Sequence, residues 1–371
     1  MQPPRIIMSG GGTGGHIFPA IAIANALKEK CNGQVEILFV GAEGRMEMEK
    51  VPAAGYKIEG LWISGLQRKF TVKNLSFPFK VIASLFKAKK ILKSFKPDAV
   101  VGTGGYASGP MLRVASNAGI ATLVQESNSY PGITNKILAG KVDRICVAYE
   151  GMERFFPKAK LMLTGNPVRQ DIQKLEGKKA RAMEFFGLDP AKKTVLIIGG
   201  SLGARTINES ILAGIHEFAG NNIQLVWQTG KTFLAEGEKA SQPFADKGIK
   251  VMDFISKMDY AYAVADVVIS RAGASSVSEL CLVKKACVLV PSPNVAEDHQ
   301  TKNAMALVNH EAALLVKDAE ARKDLVAATI ALLKNETLKG KLEVNIAKLA
   351  FADSALVIAN EILNLIHTKK H

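Results

Sequence analysis

Short apolar runs and longer stretches of helical period take turns along this chain. Runs at 5–9, 35–40, 56–60, 98–102, 121–125 and 143–147 read as strands. Between them, 17–30, 45–53, 71–95 and 132–140 repeat apolar positions at helical spacing. The rhythm resumes with strands at 194–198, 223–228, 249–252, 266–269, 286–290 and 313–316, then helices at 322–334, 336–350 and 354–366. Apolar strands alternating with helices predict the α/β class, with parallel sheets covered on both faces. The alternation breaks at 157–170, where Pro157, Gly165 and Pro167 mark a crossing. One domain is therefore expected over 1–164, joined by the last helix at 354–371, and a second over 165–353.

Glycines mark the strand-to-helix corners. Gly11-Gly-Thr-Gly-Gly-His16 follows the first strand and Gly199-Gly-Ser-Leu-Gly-Ala-Arg205 follows the strand at 194–198. Such corners leave backbone N–H groups and the positive end of a helix dipole facing the sheet's C-terminal edge, where an anion can sit. Two of them imply two Rossmann-like halves. A third glycine-rich turn spans Gly102 to Pro110. Gly10-x-Gly12-x-x-Gly15 also matches the dinucleotide fingerprint, but the second strand runs into Gly41-Ala42 and the acid, Glu43, comes late. A nicotinamide-dependent oxidoreductase thus stays a weaker alternative, and no Walker lysine is present.

The 371 residues suit two domains, and no apolar run is long enough to span a bilayer. No leader precedes the first strand, so a cytoplasmic setting is expected. Cys31, Cys146, Cys281 and Cys287 lack metal-ligand spacing and read as buried reduced thiols. The net charge of +14 is uneven: residues 1–165 carry +11 and the remainder +3. A basic surface suits nucleic acid, anionic lipid or a phosphorylated substrate.

The segment 67–97 narrows that choice, with nine basic residues and no acid. A helix opening near Pro78 lines up Val81, Leu85, Ala88, Leu92 and Phe95 as a sheet-facing stripe. Leu75, Phe79, Ile82 and Phe86 fall on a second face, near Lys89 and Lys93. Apolar side chains ringed by lysines suit an anionic membrane surface, the plain alternative being a helix covered by neighbouring loops. Nucleic acid is disfavoured, because no base-stacking aromatics interleave with the lysines.

In order, the chain carries GGTGGH, GGYASGP, Glu126-x-Asn128 leading to Gly132-Ile-Thr-Asn-Lys136, Gly165-Asn-Pro-Val-Arg169, GGSLGAR, Ser270 to Glu279, and Asp298-His-Gln-Thr-Lys-Asn303. This series, from about residue 5 to 304, resembles the MurG family, the peptidoglycan N-acetylglucosaminyltransferases of the GT-B superfamily. The resemblance implies two Rossmann-like domains facing across a cleft, with the C-terminal helix packing back on the first. It implies inverting transfer of GlcNAc from UDP-GlcNAc to the muramoyl C4 hydroxyl of undecaprenyl-pyrophosphoryl-MurNAc-pentapeptide (lipid I), giving lipid II. Other GT-B enzymes, such as a diacylglycerol glycosyltransferase or a UDP-GlcNAc 2-epimerase, are the nearest alternatives. A peripheral place on the cytoplasmic face of the membrane follows, alongside cell-wall synthesis or division proteins, with no cofactor and no bound metal.

The resemblance also implies roles residue by residue. Ser201, Arg169 and the helix start Ala274, Ser275 and Ser276 lie on the phosphate side, where an arginine offers bidentate donors. Arg169 as a boundary salt bridge and Glu279 as an ordinary surface acid are the plain alternatives. Otherwise Glu279 takes ribose hydroxyls, the Ile255 main chain the uracil, and His299 and Gln300 the GlcNAc hydroxyls; some members have a glutamine pair at the last two positions. Thr13, Gly14 and Gly15 line the cleft floor and, with Asn128, a donor- or acceptor-sugar contact, belong to the UDP-GlcNAc-binding set. Gly104, Gly105 and Tyr106 bind the acceptor diphosphate. The family commonly has His-Glu-Gln-Asn where this chain has Gln125 to Asn128, so no histidine acts at 125. Inversion needs a base, for which His16 leads and Glu126 is second.

Overall fold

A computed structural model of the chain describes residues 2–65, 76–168, 172, 174–200 and 202–370. The chain divides into two units, Met1–Val168 with Asp353–His371, and Arg169–Ala352. In the first, β1 (Arg5–Gly10) leads to α1 (Gly14–Lys30), β2 (Glu36–Ala42) to α2 (Glu47–Ala53), and β3 (Lys57–Leu61) to α3 (Phe77–Phe95). Then β4 (Ala99–Gly104) leads to α4 (Ser108–Asn117), β5 (Ala121–Glu126) to α5 (Ile133–Leu138), and β6 (Arg144–Val147) to β7 (Leu161–Leu163).

Among the described residues these strands form one parallel sheet in the order β3-β2-β1-β4-β5-β6-β7. The chain leaves β1 toward β2 and β3, then returns to β4 on the other side. The order therefore reverses between β1 and β4, the position at which sheets of this kind bind ligands beyond the C-terminal ends of their strands. The register there slips between Ser9 and Gly10, so that Gly10 pairs with Gly104. The short edge strand β7 lies within the stretch whose Pro and Gly predict only a crossing; three residues carry no alternation to read.

In the second unit, α6 (Lys179–Phe186) precedes β8 (Thr194–Ile198), α7 (Arg205–Gly220), β9 (Gln224–Gln228), α8 (Leu234–Ser241) and β10 (Ile249–Met252). There follow α9 (Met258–Val264), β11 (Val267–Ser270), α10 (Ala274–Val283), β12 (Cys287–Leu289), α11 (His299–Val308), β13 (Leu314–Leu315), α12 (Ala321–Lys334) and α13 (Glu336–Ala347). The parallel order is β10-β9-β8-β11-β12-β13, with its reversal between β8 and β11. Its core joins Val195, Ile197 and Trp227 from the sheet to Ile207, Ile211 and Phe218 of α7 and Leu325 of α12.

The last helix, α14 (Ser354–Lys370), belongs to the first unit. Ala355, Ile358, Ala359, Ile362 and Ile366 recur at helical spacing and pack with Ile17, Ala20, Ala24 and Leu27 of α1. Arg144 of β6 holds Glu361 at 2.6 Å. The opposite face of the sheet is covered by α3 and α4, through Ala88, Ile91, Leu92, Met111 and Leu112.

Candidate active site

The corner between β1 and α1 is built around a buried acid. Glu47, fully buried at the start of α2, accepts the Ala42 N–H on one carboxylate oxygen and the Gly12 N–H on the other, each at 2.9 Å. Only glycine leaves room for it, since a Cβ on Gly11 would meet Glu47 Oε1 at 2.0 Å. Gly12 itself adopts φ +84°, a left-handed conformation glycine takes at low cost. The β4 turn closes on the same corner: the Gly11 N–H donates to the Gly104 carbonyl at 3.3 Å, and Thr103 Oγ1 donates to the His16 carbonyl at 2.7 Å.

His16 stands half-buried in the first turn of α1, with Nδ1 3.0 Å from the Gly11 carbonyl. A carbonyl can only accept, so this contact places the proton on Nδ1 and leaves the Nε2 lone pair free to take one. The ring lies beside Gly104, whose φ is +103° and where a Cβ would fall 2.8 Å from Nε2. Tyr106 follows in the same turn, half exposed and against Gly65.

Glu126 has a different geometry from His16. It is buried at the end of β5, and four N–H donors converge on it. The Asn128 backbone (3.0 Å) and side chain (3.2 Å) meet one oxygen; the Gly132 N–H (3.0 Å) and Asn135 side chain (2.8 Å) meet the other. That set engages its lone pairs and makes the carboxylate a brace for the 126–135 turn. Asn135 Oδ1 is buried without a hydrogen-bond partner. Gln125, standing where the family commonly has histidine, is fully buried and donates to Asn166 Oδ1 at 2.9 Å, tying β5 to the 165–168 segment.

In the second unit, Gln228 bridges two candidate segments. Its amide donates to the Gly200 carbonyl at 2.8 Å, while its oxygen accepts the Ile255 N–H at 3.3 Å. The Ile255 N–H is therefore already engaged. At the β11 corner, α10 begins at Ala274 after Gly273, with no side-chain cap and no acid in the first turn. The N–H groups of Ala274, Ser275 and Ser276 are suited to an anion. One turn further, buried Glu279 accepts the Tyr262 hydroxyl at 2.9 Å. Beneath this corner Arg271 donates to the Val290 carbonyl and to Asp318, which also accepts the Thr206 hydroxyl of α7 at 3.0 Å. His299 and Gln300 open α11 after Glu297 and Asp298, both at positive φ. Gln300 Oε1 accepts the Ser292 N–H at 2.9 Å.

On α3, Phe79, Ile82 and Phe86 are exposed, Phe86 at 72%. Lys89 and Lys93 are exposed beside them. The buried side of α3 is Ser84, Ala88, Ile91 and Leu92, with Val81, Leu85 and Phe95 half-buried, a stripe turned slightly from the sequence expectation. Leu75, Arg169 and Ser201 lie outside the described residues. Among the described residues no group of three His, Cys, Asp or Glu could hold a metal ion, and no helix is long and apolar enough to cross a membrane.

The structure thus gathers His16, Thr13, Gly14, Gly15, Gly104 and Gly105 at the β1–β4 reversal, and Ala274, Ser275, Ser276 and Glu279 at the β11 corner. The sequence pattern did not single out Glu47, Asn135, Gln228 or Tyr262. The signal available for Glu47 was an acid directly following a strand and glycine turn, at a register where its helix must face inward.

Parallel α/β units with anion-ready corners at both reversals are the frame of a nucleotide-sugar transferase. Residues 6–147 match the glycosyltransferase family 28 N-terminal domain and residues 194–358 its C-terminal domain. The chain belongs to glycosyltransferase family 28. More particularly, it is 58% identical, over 97% of this chain and 96% of the other, to a protein of Phocaeicola vulgatus. It is 56% identical to one of Cytophaga hutchinsonii, over 100% and 99%. Both are named UDP-N-acetylglucosamine--N-acetylmuramyl-(pentapeptide) pyrophosphoryl-undecaprenol N-acetylglucosamine transferase. Among solved structures, Acinetobacter baumannii MurG is similar at 27% identity and TM-score 0.77, covering 98% of this chain and 100% of that one.

Proposed function

We propose that this enzyme moves GlcNAc from UDP-GlcNAc to the MurNAc C4 hydroxyl of undecaprenyl-pyrophosphoryl-MurNAc-pentapeptide, with inversion at the anomeric carbon. Near-full-length identity to relatives bearing that name supports the substrates. The observation that carries the chemistry is His16, whose Nδ1 contact with the Gly11 carbonyl leaves Nε2, beside Gly104, to act as the base. Nε2 takes the acceptor hydroxyl proton as that oxygen attacks the anomeric carbon and UDP departs from the opposite face. Negative charge growing on the diphosphate is met by N–H groups at the α10 start, a helix terminus aimed before reaction, with the Gly199–Arg205 corner, Arg169 and Ser201 as further donors. Glu279 takes the ribose, Ile255 the uracil, and His299 and Gln300 the GlcNAc. Thr13, Gly14, Gly15 and Asn128 contact the sugars, while Gly104, Gly105 and Tyr106 receive the acceptor diphosphate. Glu126 acts by bracing Asn128 and Asn135 rather than as the base.

Transfer of radiolabelled GlcNAc to lipid I tests this. His16→Ala should lower kcat by about 10²–10⁴-fold with little change in KM for UDP-GlcNAc. Full activity in that variant dismisses the base. Transfer to diacylglycerol, or epimerisation without lipid II, dismisses the acceptor assignment.

The same reading sets the first unit on the cytoplasmic membrane surface through Phe79, Ile82 and Phe86, with Lys89 and Lys93 meeting anionic head groups. Charge reversal at both lysines should weaken sedimentation with anionic vesicles. Unchanged partitioning removes the docking claim and leaves the transferase standing.

A further inference from the structure

The end of β3 carries an aromatic residue that neither the reaction nor the membrane reading uses. Trp62 directly follows the strand and is 51% exposed, whereas Leu61 and Ile63 on either side are buried. Tryptophan is highly buried on average, so half an indole left to solvent is a side chain available to a partner. Beside it stands Lys80, whose ammonium lies 5.7 Å from the ring centroid and donates to Ser64 Oγ at 3.0 Å. Those two contacts fix the cation without neutralising it. Among the described residues no carboxylate pairs with Lys80, and Glu43 is taken by Lys87 at 2.8 Å. Lys80 also stands apart from the apolar face of α3, since it directly follows Phe79, a step of about 100° around the helix.

The pair sits against the acceptor turn. Gly65, one residue beyond Ser64, packs on the Tyr106 ring, where a Cβ would fall 2.1 Å from the hydroxyl oxygen, and two residues before Tyr106 Gly104 lies against His16. An indole face and a fixed ammonium therefore flank the groups proposed to receive the acceptor. A phosphate would use the ammonium and leave the indole idle; a hydrocarbon would do the reverse. A short peptide satisfies both, with flat amides and aliphatic side chains for the ring and a carboxylate for the cation. In a muramoyl-peptide the stem is attached through the lactyl group on C3, next to the C4 hydroxyl and away from the diphosphate on C1.

We propose that Trp62 and Lys80 form a subsite for the peptide stem of the acceptor, the indole packing on the stem and the ammonium pairing with one of its carboxylates. The proposal rests on the transferase reading for the acceptor and adds a specificity which that reading lacks, a preference for the peptide-bearing sugar over the bare one.

Steady-state transfer by the full-length enzyme is measured with two acceptors that share lipid and diphosphate: undecaprenyl-pyrophosphoryl-MurNAc-pentapeptide, and the same molecule with its peptide replaced by a methylamide on the lactyl group. Wild type should show a KM about tenfold lower for the peptide-bearing acceptor. Trp62→Ala should raise that KM about five- to tenfold and Lys80→Met about two- to fivefold, with kcat at saturating acceptor and KM for UDP-GlcNAc retained. Neither should move KM for the methylamide. Lys80→Arg should restore the wild-type value. A pentapeptide acceptor whose carboxylates are amidated should lose its dependence on Lys80 and keep that on Trp62. Because lipid and diphosphate are common to both acceptors, a KM rise shared by both places the pair on those parts and overturns the proposal. An unchanged KM for the pentapeptide acceptor in Trp62→Ala also overturns it, and equal KM for the two acceptors in wild type does so without any variant. Failure of wild type to use either acceptor removes the transferase reading and the subsite with it, whereas transfer to both at equal KM sinks the subsite alone.

Discussion

Replacing Glu47 by glutamine removes one acceptor from the centre of the first corner with almost no change in volume. Both carboxylate oxygens are engaged, by Gly12 N–H and Ala42 N–H at 2.9 Å, and the side chain is fully buried. Whichever way the amide turns, its NH₂ must face one of two backbone donors. The Ala42 bond is the more deeply buried, so the oxygen stays there and Gly12, which is exposed, loses its partner to water. A hydrogen bond to a charged group contributes about 1.5–3 kcal/mol, and a donor stranded next to another donor adds a desolvation penalty of the same order. Hydration of Gly12 relieves part of that, which sets the expected loss at about 2–3 kcal/mol. Urea unfolding should show a lower midpoint at unchanged m. Because Gly12 lies four residues before His16, freeing it should displace the base, and misplacement by about 1 Å can lower a rate about 100-fold. Steady-state kinetics should therefore show kcat down by roughly 10–100-fold, with KM for UDP-GlcNAc unchanged, since the proposed nucleotide contacts lie on the other unit. Stability within about 0.5 kcal/mol of wild type together with an unchanged kcat would refute the idea that this carboxylate holds the corner.

Two further outcomes follow from the same geometry. Gly104→Ala should lose kcat, because its Cβ would come 2.8 Å from His16 Nε2; Gly119→Ala, also at positive φ but with nothing within 4 Å, should show only backbone strain of about 1–2 kcal/mol and full activity, which steady-state assays and urea unfolding separate. Burial pushes the Cys146 and Cys281 thiols up to about 12, and Cys287 higher still. The unfolded chain therefore releases these protons first, so stability should fall as pH rises from about 9 toward 12, by up to about 1.4 kcal/mol per pH unit for each thiol. Urea unfolding across that range should show the slope lessened in Cys146→Ala; an unchanged slope removes that thiol from the account.

What could be read from sequence was what repeats locally. The strands show because each is a short apolar run with turn residues at its ends, and α14 shows because Ile358, Ile362 and Ile366 recur every four residues. The orientation of α3 was legible to within a fraction of a turn. Ser84 and Ile91 are buried where Val81 and Leu85 were expected, since Leu85 faces a cavity between α3 and α4 instead of the sheet. The braces were not legible. Glu47 meets Gly12 across 35 residues, Gln228 meets Ile255 across 27, and Tyr262 meets Glu279 across 17. Nothing in the local pattern of either partner announces such a pairing, which exists only once the sheet order brings turn and helix together. His16 and the glycine corners were legible as types, because the backbone demands them, but not the tautomer, which depends on the Gly11 carbonyl.

The braces also argue for a division of labour between the β1–α1 corner and the β11–α10 corner. Beneath the first sits Glu47, a full negative charge within hydrogen-bond reach of Gly12. A phosphate at roughly 6 Å from it would be opposed by about 2–3 kcal/mol per unit charge at an effective dielectric near 20. It also consumes one of the N–H groups that would have served the anion. At the β11 corner, the half-buried carboxylate of Asp318 is matched by Arg271, and the first turn of α10 has neither acid nor side-chain cap competing for its donors. On the proposed reaction, the Gly12 side of the first corner suits a neutral hydroxyl giving up a proton beside His16, and the β11 corner suits charge that grows on a departing diphosphate. The two corners are differentiated by the acids beside them: Glu47 faces the first without a cation, whereas Asp318 is paired with Arg271 beside the β11 corner.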